Sequence, residues 1–360
     1  MKHFFSNILA RIIPALAAMA ALSACDSLIY DYEGEDCDPV HIIRFEYDMN
    51  MKFADAFPAE VPSVDLYVFD KAGHLVTSVS RHVSREEAKD FSIELRGLAP
   101  GHYDLLAWCG VKDSEHFLVN HAGVIDPAYE HHTCRINSLD EGDANGHIRK
   151  DVGRLFHGRL DDVDMTADEG TYVHTVSLTK DTNVIRVVLQ HLSGKPMDKA
   201  DYDIFITDHN ALYAHDNSLL PHKDITYHPW IVKSGEAAFG PDYEPILDDE
   251  QSRAQTSVSA VVAELTVGRL MADRKKDALL VVNNANDGSN IVTLPLIQYL
   301  LMVKGHYYGA DGHTPMSDQE YLDREDDYPM TFFLDEQDHW LKTVIYINIW
   351  RVVLNESTLH

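Results

Sequence analysis

The chain has 360 residues and a formal charge of −28; such a polyanion is repelled by phosphates and anionic lipid surfaces, which argues against nucleic-acid binding. Its hydrophobic content of 45% is that of an ordinary globular protein, and its length allows about two domains. Neither a Cys-x-x-Cys pair nor a nearby His-x-x-x-His run is present, which argues against a zinc site.

Residues 1–24 read as a signal peptide. Lys2 and Arg11 give a positive start, an apolar run extends from Ile12 to Leu22, and Ser23 and Ala24 precede Cys25. That order is the lipoprotein type, cut before a cysteine that is then acylated. The apolar run is shorter than the roughly 20 residues of a spanning helix, so the expected attachment is a lipid tether on Cys25. Removing 1–24 takes away two positive charges and no acid, leaving −30. Residues 25–40 are expected to be an acidic tether, either a plain spacer or a sorting signal for export to the cell surface.

From His41 the pattern is short and strand-like. His41–Tyr47 is apolar and β-branched. Ser63–Asp70 alternates, Lys71-Ala72-Gly73-His74 turns, and Leu75–Ser80 returns, which predicts a hairpin. Arg85–Lys89 has room for one helical turn. Strands are predicted at Phe91–Arg96, His102–Trp108, Leu155–Leu160 and Thr171–Leu178, with a long polar loop over 137–151. A domain boundary is placed near Thr179–Thr182, giving an N-terminal domain 41–180 and a C-terminal domain 181–360.

The second set of strands is predicted at Val184–Leu189, Asp203–Thr207, Ala260–Thr266 and Ala278–Asn283. Asn286-Asp287-Gly288-Ser289 is a turn, and Ile291–Leu294 returns from it. Leu294–Val303 is the one predicted helix, with Pro295 in its first turn. Thr343–Val353 is predicted as one long strand, apolar on both faces, either central in a sheet or in contact with another chain. Strands at this spacing indicate β-sandwiches.

The chain has no Gly-x-Ser-x-Gly elbow, no His-Glu-x-x-His and no phosphate-binding glycine loop. It is therefore read as a non-enzyme without cofactor or metal. The 21 histidines, including His131-His132, are read as surface residues. The acidic runs Asp161, Asp162, Asp164, Asp168, Glu169 and Asp323, Glu325, Asp326, Asp327 do not fit the EF-hand pattern and are read as solvated loops. With Cys25 acylated, Cys37, Cys109 and Cys134 remain. Cys109 and Cys134 are either a disulfide or two buried thiols. Core packing is the expectation for Trp108, Trp230, Trp340 and Trp350, with Trp230 the first candidate of the four to be exposed.

Several segments together carry a family resemblance. They are Asp48-Met49-Asn50, Ala54-Asp55-Ala56-Phe57, Val64-Asp65-Leu66-Tyr67-Val68-Phe69-Asp70 and Gly101-His102-Tyr103-Asp104-Leu105-Leu106-Ala107-Trp108. Arg154-Leu155-Phe156-His157-Gly158 and Tyr321–Pro329 follow, with Thr331–Glu336 and Trp340 before Val344–Trp350. In this order, and with the lipidation signal, the chain resembles the FimB-type family of fimbrial anchor lipoproteins (minor fimbrium subunits) of Bacteroidales. The resemblance implies two tandem transthyretin-like Greek-key β-sandwich domains, held in the outer membrane through lipid on Cys25. It implies a place at the base of a fimbria, where the protein attaches the shaft subunit, a fimbrillin, and limits shaft length. Fimbrillins of this kind join by strand addition, in which backbone hydrogen bonds give strength and side-chain pockets give specificity. The alternative expectation is a surface lipoprotein that binds glycan or another extracellular ligand.

Overall fold

A computed structural model describes residues 39–120, 128–137, 146–166, 168–191, 193–238, 257–348 and 350–353. Before residue 181 the chain forms β1 (Val40–Glu46), α1 (Phe57–Glu60), β2 (Ser63–Asp70), β3 (Leu75–His82), β4 (Ser92–Leu95), β5 (Gly101–Cys109), β6 (Phe117–Val119), β7 (Thr133–Ile136), β8 (His147–Ile148), β9 (Phe156–Met165) and β10 (Thr171–Lys180). After it come β11 (Thr182–His191), β12 (Tyr202–Asp208), β13 (Leu212–Ala214), β14 (Ile225–Tyr227), β15 (Ile231–Ala238), β16 (Ser257–Gly268), β17 (Leu279–Asn284) and β18 (Asn290–Pro295). The chain continues with α2 (Leu296–Leu300), α3 (Asp318–Arg324), β19 (Asp327–Leu334), β20 (Trp340–Ile347) and β21 (Trp350–Val353). The all-β class expected from the sequence is the class observed.

The first sheet runs β3-β2-β5-β9-β10-β1-β4. Its turning point is β10. Residues 171–177 pair in parallel with β1, and residues 178–180 pair antiparallel with β9. One strand thus serves two layers, and Ile43, Phe45, Leu66, Val68, Leu105 and Val176 share one apolar cluster. The central strand β5 explains why Tyr103–Cys109 reads as a nearly unbroken apolar run. Leu105, Ala107 and Cys109 belong to this first core, whereas Leu106 and Trp108 belong to the next one. A strand buried on both faces has no polar side to alternate with.

The second core is larger. A six-stranded sheet, β15-β16-β11-β19-β20-β21, contributes Ile185, Val187, Leu265 and Phe332. A five-stranded sheet, β18-β17-β12-β14-β8, contributes Ile204, Ile206, Leu280 and Val292 to the same cluster. Three strands from before residue 181 complete sheets from after it. β7 lies between β6 and β13, and β8 pairs in parallel with β14. The two halves repeat one topological device: β1 is parallel to β10, and β11 is parallel to β19.

Three local expectations need correction. Leu294 is in β18, paired with Leu280, so the helix predicted over Leu294–Val303 shrinks to α2 followed by a 3-10 turn at Leu301–His306. The predicted strand Thr343–Val353 is two strands. Asn348 adopts φ +53°, and Ile347 then pairs with Trp350, so β20 and β21 form a tight hairpin. Asparagine tolerates the left-handed region this turn requires. The segment Arg85–Lys89 forms hydrogen-bonded turns and no helix.

Charged contacts join the halves. The Lys180 ammonium lies against Asp326 and 3.2 Å from Glu60 at the end of α1. Arg324 of α3 donates to the carbonyls of Asp48 and Asn50 and lies over the Phe53 ring at 4.4 Å. Asp181, between β10 and β11, is fully buried and accepts from Asn217 at 2.9 Å.

Candidate functional site

A sheet edge is a row of unpaired N–H and C=O groups, ready to accept another strand. Among the described residues the edges of the first sheet are β3 and β4. A groove of about 470 Å³ lies between them. Val79 of β3 and Phe91 and Ile93 at β4 give it an apolar lining, and Phe91 and Ile93 are buried. Its polar rim carries Arg81, Glu87, Asp90 and Glu94. Arg81 reaches across the mouth. Its Nη1 donates to the Ser92 carbonyl at 3.3 Å, and its guanidinium stands 5.2 Å from the centre of the Phe91 ring. Glu87 lies 3.7 Å from the same guanidinium, and Glu94 pairs with Arg96 at 3.1 Å.

Two unpaired edges over an apolar floor suit an added strand. Main-chain hydrogen bonds would run to both sides, and alternate side chains would point into the pocket. The sequence hinted at this site only weakly. The alternation at Phe91–Arg96 showed a strand, but its position at a sheet edge follows from distant pairing with β1. Among the described residues, β21 and β15 are the edges of the six-stranded sheet.

Cys25 lies outside the described residues, as does Cys37. Cys109 and Cys134 are free and fully buried, so the disulfide alternative falls. Burial pushes both thiols well above their ordinary pKa, which leaves neither as a ready thiolate nucleophile. The histidines are not uniformly on the surface. His131 ends a 3-10 turn at Tyr129–His131 and is exposed, whereas His132, where the chain becomes extended toward β7, is buried. Trp108 Nε1 donates to His132 Nδ1 at 3.3 Å, and burial pulls His132 and His157 down to about 4.

The acidic runs are more engaged than solvated loops would be. Asp162 pairs with Lys71, and Asp161 with Arg159 and the Tyr129 hydroxyl. Asp323 takes two hydrogen bonds from Arg269 at 2.9 and 2.8 Å, and Asp327 lies 3.6 Å from Arg186. Burial raises Glu325 to about 7. Among the described residues no group of three or more histidines, cysteines or carboxylates is arranged to hold a metal ion. Trp108 and Trp340 are core residues. Trp230 is half-buried, more exposed than Trp108 and Trp340, and its backbone N–H donates to the Glu264 carbonyl at 3.0 Å. The side chain of Trp350 lies outside the described set.

The architecture is that of an all-β protein of packed sheets with an open groove beside two sheet edges. The sequence pattern of the fimbrillin-A associated anchor proteins Mfa1 and Mfa2 matches residues 34–356, and the chain belongs to that family. A curated relative, the minor fimbrium anchoring subunit Mfa2 of Porphyromonas gingivalis, is 26% identical over 240 residues. That match covers 64% of this chain and 69% of the relative. The solved structure of the fimbrial anchor protein Mfa2 from Porphyromonas gingivalis has the same fold, with a TM-score of 0.62 at 16% identity over 89% of this chain and all of that one. A Bacteroides thetaiotaomicron protein provisionally named an adhesin is 32% identical, with a TM-score of 0.73 over 88% of this chain and 99% of its own. A second protein of that organism, provisionally named polysaccharide-binding, is 27% identical with a TM-score of 0.71, covering 89% of this chain and all of its own. Family membership ties the chain to fimbriae at the cell surface and to a structural role. Among the described residues no helix is long and apolar enough to cross a membrane.

Proposed function

We propose that this protein is an outer-membrane lipoprotein that holds the base of a fimbria and limits its length. It receives the shaft subunit by strand addition and performs no catalysis. The observation that carries the reading is the groove between β3 and β4, two unpaired edges over an apolar floor in a member of an anchor family. The lipid is on Cys25, residues 26–40 form the tether, and 41–180 and 181–360 act as the two domains. Tension then enters the folded part through β1, which is paired over seven residues with β10.

Two measurements test this. Replacing Cys25 with alanine should move the protein and its fimbriae from the membrane fraction to the medium; retention in the membrane would show that lipid is not the attachment. Deleting the gene should leave long fimbriae shed into the medium. Fimbriae of unchanged number and length on the cells would remove the anchoring role and favour a ligand-binding surface lipoprotein.

A further inference from the structure

The Arg81 side chain is a placeholder in the groove. It starts on β3 and ends on the backbone of β4, and three different groups hold its guanidinium. These are the Ser92 carbonyl, the face of Phe91 and the Glu87 carboxylate. A strand inserted between two edges needs about 10 Å, twice the ordinary strand spacing. The arginine joins the two edges between which such a strand would lie. It also covers apolar surface and blunts two edges that would otherwise attract chance pairing, a recognised use of charge at sheet edges.

We infer that Arg81 is a latch that the incoming shaft strand displaces, and that this strand brings a basic side chain to the vacated place. This rests on the strand-addition reading above. Once Arg81 swings out, Glu87 and Asp90 are left around the groove, while Glu94 stays paired with Arg96. Those two carboxylates favour a strand with a lysine or arginine over an acidic one. They also disfavour a second copy of this chain, whose formal charge is −28. A cation over Phe91 and beside Glu87 restores what the latch supplied.

The test uses the full chain and shaft subunit dissociated from fimbriae sheared off the same cells. Arg81 is 45% exposed, so Arg81→Ala should fold with little loss. Removing the latch should raise the association rate by about two- to fivefold, the equivalent of one exposed cation–π contact. Arg81→Lys should fall between alanine and wild type. Added salt should slow association for both variants, as expected for a basic strand meeting an acidic rim. An unchanged or slower rate in Arg81→Ala overturns the latch, and salt-independent binding overturns the basic partner. Hydrogen exchange on the bound wild type separates these results from a failure of the underlying reading. If the amides of β3 and β4 gain no protection on binding, the shaft does not dock in this groove at all.

Discussion

Asp181 shows what burial does to a single charge. Its carboxyl is fully buried, Oδ1 lies 3.8 Å from Arg269 Nε, and Oδ2 has no hydrogen-bond partner among the described residues. Desolvation raises its pKa to about 7, against the pull of Arg269 and Asn217. Between about pH 4 and 7 the folded chain therefore keeps a proton that the unfolded chain releases, and stability falls as pH rises through this window. Glu325, at about 7, and Asp208, at about 6, act in the same direction. His132 and His157, held near 4, act in the opposite one: the unfolded chain binds protons below about 6.5 that the fold refuses, so stability is lost as pH falls. Asp181→Asn removes one member of the first group. Relative to wild type, the variant should gain about 1–3 kcal/mol between pH 4.5 and 7.5 in denaturant unfolding, since one pKa unit is worth about 1.4 kcal/mol. A difference that stays constant across this range would mean that Asp181 is ionised throughout. None of this was legible in the sequence, where Asp181 stood merely as a residue at the expected domain boundary.

Among the elements, legibility followed length and periodicity. Ser63–Asp70 was expected and observed with the same bounds, because eight alternating residues suffice to show a period of two. β6, β8, β13 and β14 have three residues or fewer, too few for any period. β15 was hidden by its polar Lys233-Ser234-Gly235-Glu236 stretch and exists because β16 pairs with it along eight residues. The helix α3 had a readable signal. Ser317 and Glu320 have capping-box spacing, and the Ser317 side chain accepts from the Glu320 amide at 3.1 Å. Glu320 turns its carboxylate to Arg324 at 3.0 Å instead of back to the cap. Replacing Ser317 with alanine should cost about 1 kcal/mol, the usual value of an N-cap. The loss should appear as a lower melting temperature, and an unchanged melt would mean the helix is held by packing alone.

For the molecule as a whole, the question is whether the halves unfold together. Leu106 and Trp108 of the first sheet belong to the core that also contains Ile185 and Leu265. The Lys180 and Arg324 contacts span the same junction. Lys180→Ala with Arg324→Ala should separate one calorimetric transition into two, since local units open independently once their coupling weakens. A single transition in the double variant would assign the coupling to the shared core. By itself, the sequence determined the all-β class, the position of the longer strands and, through the order of several short motifs, the family. These are local patterns, set by which side chains alternate and where turns are chemically allowed. Only the tertiary structure decided that β5 is buried on both faces, that β8 completes a sheet of later strands, that Cys109 and Cys134 stay apart, and that β3 and β4 are edges among the described strands. Each of these depends on contacts between residues far apart in the chain, and alternation along one strand carries no information about which strand lies beside it.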